Sequence, residues 1–464
     1  MPSRIVPLIL AVALFMENMD ATVISTSLAE IARDIGTEPV ALKLALTAYL
    51  VALAIFIPVS SWMADRFGAR NVFRWAIVVF MVGSVCCAIS NSLATFVLSR
   101  FLQGMGGALM TPIARLVLVR ATPRNQLVDA MAWLSIPGLV GPILGPPIGG
   151  AITTYLSWHW IFIINVPIGI AGIILVTIFL PDWHRNAPRK MDFPGFFLAG
   201  TAFAGWVFGI SVVTLPALPI EVGAVTLAVG TLAALGYYLH YRRAEYPLLD
   251  LGLFRLPIFS ATMLGGTFFR LGTGAVPFLF PLMLQLVFGL NPFQSGMVTF
   301  ASAIGSFTAK FLTDRALRLL GFRTGLMLTG TCTVLGVLCM GFYTPATPVW
   351  LIMSLLVLMG FAQSVFWTTT NAFVFADVED KDAGQANVLS QVGIQLSLAF
   401  GVALGGGALE LFRLGHGGAE TLPDFHWAFY VMAAVGIIAV FVFARLPRSV
   451  GMGGPAAAAA GGGH

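Results

Sequence analysis

Apolar stretches of about twenty residues alternate with short polar gaps along the chain, from Pro7 to Arg445. A helix rises about 1.5 Å per residue, so about 20 apolar residues cover the hydrocarbon core of a bilayer. On that rule fourteen spans are predicted. The first six lie near 7–29, 41–62, 73–92, 94–119, 127–153 and 160–180, followed by a pair at 192–213 and 218–240. The last six lie near 256–288, 293–314, 323–343, 348–371, 387–412 and 425–445. No polar gap is long enough for a separate soluble domain, so the expected fold class is an all-α polytopic membrane protein. Glycine and proline recur inside the runs, which a bilayer tolerates where neighbouring helices satisfy the freed backbone groups.

Composition agrees with this pattern. Of 464 residues 58% are hydrophobic and 10% charged, against roughly 25% charged in a soluble domain. The net charge of +5 is spread over the gaps and forms no patch for nucleic acid. An even number of spans puts both termini on one side. Most Lys and Arg then fall in segments on that side, and only Arg33, Lys43 and Arg413 fall in segments on the other, which makes the termini cytoplasmic. The acidic group Asp377, Glu379, Asp380 and Asp382 counts little in this rule. Cys86, Cys87, Cys332 and Cys339 lie within apolar runs, out of place for a disulfide framework or a zinc site. The first run holds Glu17 and Asp20 and no small-residue cleavage site, so no cleaved signal peptide is expected. The Gly/Ala-rich stretch 449–464 is expected to be disordered. With no nucleophile–base pair, phosphate loop or metal spacing, neither an enzyme nor a cofactor is expected.

An internal repeat organises the runs. Asp65-Arg66 closes the second span and Asp314-Arg315 closes the tenth, 249 residues on. Two six-helix halves, 7–180 and 256–445, with a two-helix insert at 192–240, fit that offset. The informative residues are charges inside the runs. Asp20, Arg100 and Arg270 would each cost about 2.5–3.5 kcal/mol at a span centre, so they must be paired or wet, and such residues mark ion or substrate paths. Glu17 and Asp20 share one face of the first span, a pair of carboxylates suited to taking up and releasing a proton. The alternative is a permanently paired structural Asp20 beside a neutral, hydrogen-bonded Glu17.

Arg100, in LSRFLQGMGGALMTP, cannot lose its charge and must face a carboxylate or water, or else snorkel at an interface. An offset of 250 maps Arg270 onto Asp20, which leaves three roles open: pairing with Asp20 in the empty state, binding an anionic group of the substrate, or structure alone. The fifth run, IPGLVGPILGPPIGGAI, carries Gly141, Pro142, Gly145, Pro146, Gly149 and Gly150, a groove for close helix approach with kinks at the prolines. Lys310 and Asp314 are spaced to pair, Lys43 and Arg115 are placed to snorkel, and Glu410 lies near the outer end of its span.

These residues resemble the major facilitator superfamily over about residues 7 to 445, and within it the fourteen-span drug:proton antiporter branch, the EmrB/QacA-like subfamily. Asp65, Arg66, Gly68 and Arg70 are similar to its cytoplasmic latch, with Ser61 and Ala69 standing where glycine and a basic residue are usual. Arg100, Gln103, Gly104 and Gly107 are similar to the element used in proton transfer, and GPILGPPIGG to the motif that marks antiporters. Asp20-Ala-Thr22-Val-Ile resembles the first-span element, with Ser25 and Ala29 departing from it. SWHWIFIINVPIG (157–169) and PLLDLGLFR (247–255) are further hallmarks, and the MdtD-like members of Gram-negative bacteria share the arginine at 270.

The resemblance implies a proton-coupled antiporter exporting small amphipathic compounds across the bacterial inner membrane by alternating access, with its substrate site near the midplane. Together with the charges read inside the runs, it points to Asp20, Glu17 and Arg100 for proton coupling and to Arg270, Gln103 and Asp20 for substrate. Asp65, Arg66, Gly68, Arg70, Asp314 and Arg315 would form the cytoplasmic gate. It implies a monomer, with or without a periplasmic adaptor. An exporter of an anionic metabolite or metal chelate is the main alternative, and a proton symporter a lesser one.

Overall fold

A computed structural model describes residues 5–123, 126–180, 190–213, 215, 219–379, 381–415 and 420–445, with backbone alone at 127, 128, 132, 135–137, 139, 314, 316 and 318–320. The low-complexity tail 449–464 lies outside the described residues. Among the described residues, twelve helices are long and apolar enough to cross a membrane. In chain order, with two further helices, they are α1 (Ile5–Thr26), α2 (Pro39–Phe67), α3 (Ala69–Ala88), α4 (Leu93–Ala121), α5 (Leu127–Tyr155), α6 (Trp160–Phe179) and α7 (Phe193–Val213). Then come α8 (Ile220–Tyr241), α9 (Pro257–Leu286), α10 (Pro292–Leu320), α11 (Phe322–Met340), α12 (Val349–Phe373), α13 (Ala383–Leu414) and α14 (Leu422–Ala444). The two further helices, α5 and α10, have 29 residues each and occupy the fifth and tenth predicted runs.

Two junctions are tighter than hydropathy suggests. The second run continues as helix through Asp65 and Arg66, and α2 joins α3 at the single residue Gly68. Its φ of 85° favours glycine because a Cβ would crowd the backbone there. Gly321, with φ of 71°, joins α10 to α11 in the same way. The long ninth run is broken: one helix ends at Gly274 and another starts at Val276, because Pro277 offers no N–H to continue the ladder.

The chain forms two compact units, residues 1–248 with 281–297, and 249–280 with 298–464. In the first, buried side chains of α1, α3, α4 and α6, among them Leu10, Phe73, Phe80, Met110 and Val176, make one apolar core. The α7–α8 hairpin leans on α2 through Phe196 against Phe56 (5.6 Å) and Phe193 against Trp62 (6.0 Å). In the second, α9 packs on α13 and α14, and Phe269 stacks on Phe366 at 3.7 Å.

Lys43 departs from expectation. It is fully buried, not snorkelled, because Leu215, beyond the end of α7, packs with Ala41 and Leu44 over that turn of α2. Arg115 is exposed. Glu410 and Arg413 are buried together, 2.7 Å apart.

Candidate functional site

Asp20 sits on α1 with none of its surface exposed, and its carboxylate accepts hydrogen bonds from two other helices of the first unit. Arg100 Nη1 on α4 donates to Oδ2 at 2.7 Å. Gln103 Nε2 on α4 and Asn165 Nδ2 on α6 each donate to Oδ1 at 2.8 Å. Ser84 on α3 accepts from both amides, at 2.8 Å from Gln103 and 3.2 Å from Asn165. Gln103 Oε1 in turn accepts from Arg100 Nη1 and, at 3.8 Å, from the Cys87 thiol. The guanidinium lies 4.4 Å from the Tyr49 ring centroid on α2. This is a fully desolvated ion pair whose carboxylate accepts three donors, the condition under which a buried charge is tolerated.

Glu17, one turn before Asp20, accepts from Thr111 Oγ1 on α4 at 2.9 Å. It is half-buried where Asp20 is fully buried, so the two carboxylates differ in access.

The helix carrying both carboxylates is held by the glycine-rich α5. A Cβ on Gly141 would come within 2.9 Å of the Met19 nitrogen, and one on Gly145 or Gly149 would collide with Thr22 or Val23. Hydroxyls complete the seam, with Ser27 and Thr153 2.6 Å apart and Thr26 Oγ1 3.4 Å from the Pro146 carbonyl. Gly150 faces the Pro292 carbonyl in the same close manner. Pro142 and Pro146 are half-buried on this helix.

At the predicted gate, Arg120 at the end of α4 pairs with Asp65 at 2.8 Å. Arg70 donates to the Leu180 carbonyl at 3.2 Å, just past the end of α6. Arg66 and Arg315 are exposed, and the side chain of Asp314, the expected partner of Lys310, lies outside the described side chains. Lys310 bonds Thr368 at 3.2 Å. The second unit repeats the arrangement: Arg323, two residues after Gly321, donates to the Ala444 carbonyl at the end of α14. Arg120 and Arg323 were not expected as gate residues, although the Gly-x-Arg spacing at 68–70 and 321–323 is a signal for the second.

Arg270 belongs to the second unit, 4% exposed, with its guanidinium 4.6 Å from the Trp367 ring centroid. The side chain folds back over Gly266, where an added Cβ would lie 2.6 Å from Nη1. No carboxylate among the described residues reaches it, and its Nε is buried without a hydrogen-bond partner. Asn165, Ser84, Tyr49 and Trp367 escaped sequence reasoning. Asn165 lay within a quoted hallmark, as an amide in an apolar run, and the others carried no signal.

A family model described as Major Facilitator Superfamily matches residues 10–276 and 262–461. A putative multidrug resistance protein MdtD of Salmonella heidelberg is 34% identical over 453 residues, 95% of this chain and 94% of that protein. The MdtD protein of Cronobacter sakazakii is 34% identical over 452 residues with the same coverage. Among solved structures, the POT family transporter PepTSo superposes with a TM-score of 0.73 at 14% identity, covering 98% of this chain and 99% of that one. A D-xylose-proton symporter gives 0.68 at 14% identity over 96% and 98%. At these identities the two structures speak for the fold alone.

Proposed function

The chain belongs to the Major Facilitator Superfamily, and from that premise we propose that it is a proton-coupled antiporter exporting small amphipathic compounds across the bacterial inner membrane by alternating access, with both termini in the cytoplasm. The single observation that carries the reading is the sealed Asp20–Arg100 pair on α1 and α4. A proton reaching Asp20 neutralises the carboxylate and removes its hold on Arg100. Arg100 cannot lose its own charge, so the freed guanidinium must find another partner, and α1 and α4 lose their ion pair and keep the hydrogen bonds from Gln103 and Thr111. Glu17, the less buried of the two carboxylates, is the first acceptor for that proton. The MdtD relatives support amphipathic drugs as the cargo class. A monomer suffices for this cycle, and a periplasmic adaptor would extend the path without changing it.

A second reading, an exporter of anionic metabolites or metal chelates, is favoured by Arg270, a buried cation on an aromatic face with no carboxylate of its own. The test is proton release from detergent-solubilised protein on adding cationic drugs or anionic metabolites, with Asp20→Asn and Arg270→Ala in parallel. Release evoked by cations, lost in Asp20→Asn and kept in Arg270→Ala, supports drug antiport. Release evoked only by carboxylates and lost in Arg270→Ala supports the anion exporter.

A further inference from the structure

Tyr49 stands between the two carboxylates of α1. Its ring lies under the Arg100 guanidinium at 4.4 Å, and its hydroxyl reaches along α4 to Gly107. A Cβ on Gly107 would sit 3.0 Å from that hydroxyl and 3.7 Å from Cγ of Glu17, so both side chains flank one glycine. The residue is 3% exposed, yet the hydroxyl has no hydrogen-bond partner. A buried phenol usually finds one, and Glu17 is the flexible acceptor beside it, bonded now to Thr111.

We propose that Tyr49 is a positioning residue that couples Glu17 to the Asp20–Arg100 pair, its ring face holding the guanidinium and its hydroxyl serving as the alternative donor to Thr111 for the Glu17 carboxylate. With Glu17 turned to Thr111, Tyr49 lies against Arg100, and Arg100 stays on Asp20. With Glu17 turned to Tyr49, the ring is drawn along α4 and its grip on the guanidinium slackens. The state of the half-buried carboxylate is thereby felt at the sealed one before any proton reaches it. The charged and titratable groups bearing on this device are Glu17 and Asp20 from α1, Arg100 and the exposed Arg115 from α4, and Cys87 from α3. Gly107 belongs to the device because any larger residue would push the hydroxyl away.

This proposal rests on the proton-coupled reading, and the experiment separates the two. The carboxyl C=O bands of the purified protein are followed by infrared difference spectroscopy across pH, with the bands of Glu17 and Asp20 assigned from Glu17→Gln and Asp20→Asn. Tyr49→Phe keeps the ring and removes only an unpartnered hydroxyl, so it should fold, and its thermal unfolding checks this. Glu17→Gln should move the Asp20 midpoint by about one pH unit, tenfold in proton affinity, in otherwise unaltered protein. In Tyr49→Phe the same substitution should move it by less than half as much, and Gly107→Ala should mimic Tyr49→Phe. Equal displacements in the two backgrounds overturn the role of Tyr49 and leave proton coupling intact. An Asp20 band that never titrates in the unaltered protein overturns the coupling reading and this proposal with it.

Discussion

Three nitrogen donors converge on the Asp20 carboxylate, and their number decides what each substitution costs. Asp20→Ala would strand the Arg100 guanidinium in a site where it is 1% exposed, a loss of about 3–5 kcal/mol by the usual penalty for breaking a buried pair. Asp20→Asn keeps volume and one acceptor oxygen and should cost less than half of that; unfolding in detergent, monitored by circular dichroism, measures both. At the other buried arginine, Gly266→Ala places a methyl group on the guanidinium and should drive Arg270 off Trp367. The expected outcome is a change in Trp367 fluorescence, seen against a Trp367→Phe control, and an unchanged spectrum would mean that the arginine already rests elsewhere. The charged residues of this site were legible in the sequence because a charge inside an apolar run has no ordinary explanation. Asn165, Ser84 and Tyr49 were not, because neutral polar side chains in membrane helices satisfy themselves locally as a rule, as Ser84 does in part by donating to the Phe80 carbonyl at 2.9 Å.

At the scale of the helix, α1 is positioned by what α5 lacks. Along the α5 face the missing side chains at Gly141, Gly145 and Gly149 let the backbones of α5 and α1 approach, with Asp20 on the neighbouring turn. Gly145→Ala should therefore force the two helices apart, destabilise the protein by about 1–3 kcal/mol as overpacked cores do, and lower transport. Gly138→Ala on the same helix should be close to neutral, since its nearest neighbour is the Asn18 side chain at 3.8 Å. Parallel growth assays on a toxic substrate, with expression normalised, distinguish the two; equal effects would mean that this seam does not control the cycle. Small residues at three- and four-residue spacing announced a packing face in the sequence. Its partner could not be read there, because any apolar helix would have served.

Across the whole molecule, hydropathy located the helices and missed how they join and break. It counts apolar residues and is blind to φ, so it left a loop where Gly68 makes the turn alone and a continuous span where α9 breaks before Val276. The repeat, by contrast, reached the level of single bonds. In each unit a glycine with positive φ is followed two residues later by an arginine capping a carbonyl at the end of a later helix, Arg70 on Leu180 just past α6 and Arg323 on Ala444 in α14. A cation at that position is favoured by the helix dipole as well as by the hydrogen bond. Each unit thus carries the same glycine–arginine clamp, as the repeat requires.

Whether Asp20 couples substrate to protons is decided by transport into inside-out proteoliposomes under an imposed proton gradient, comparing the unaltered protein with Asp20→Asn. The gradient should drive substrate accumulation in the unaltered protein, whereas Asp20→Asn should bind substrate and only equilibrate it. Gradient-driven accumulation by Asp20→Asn at the unaltered rate would rule out Asp20 as the coupling carboxylate.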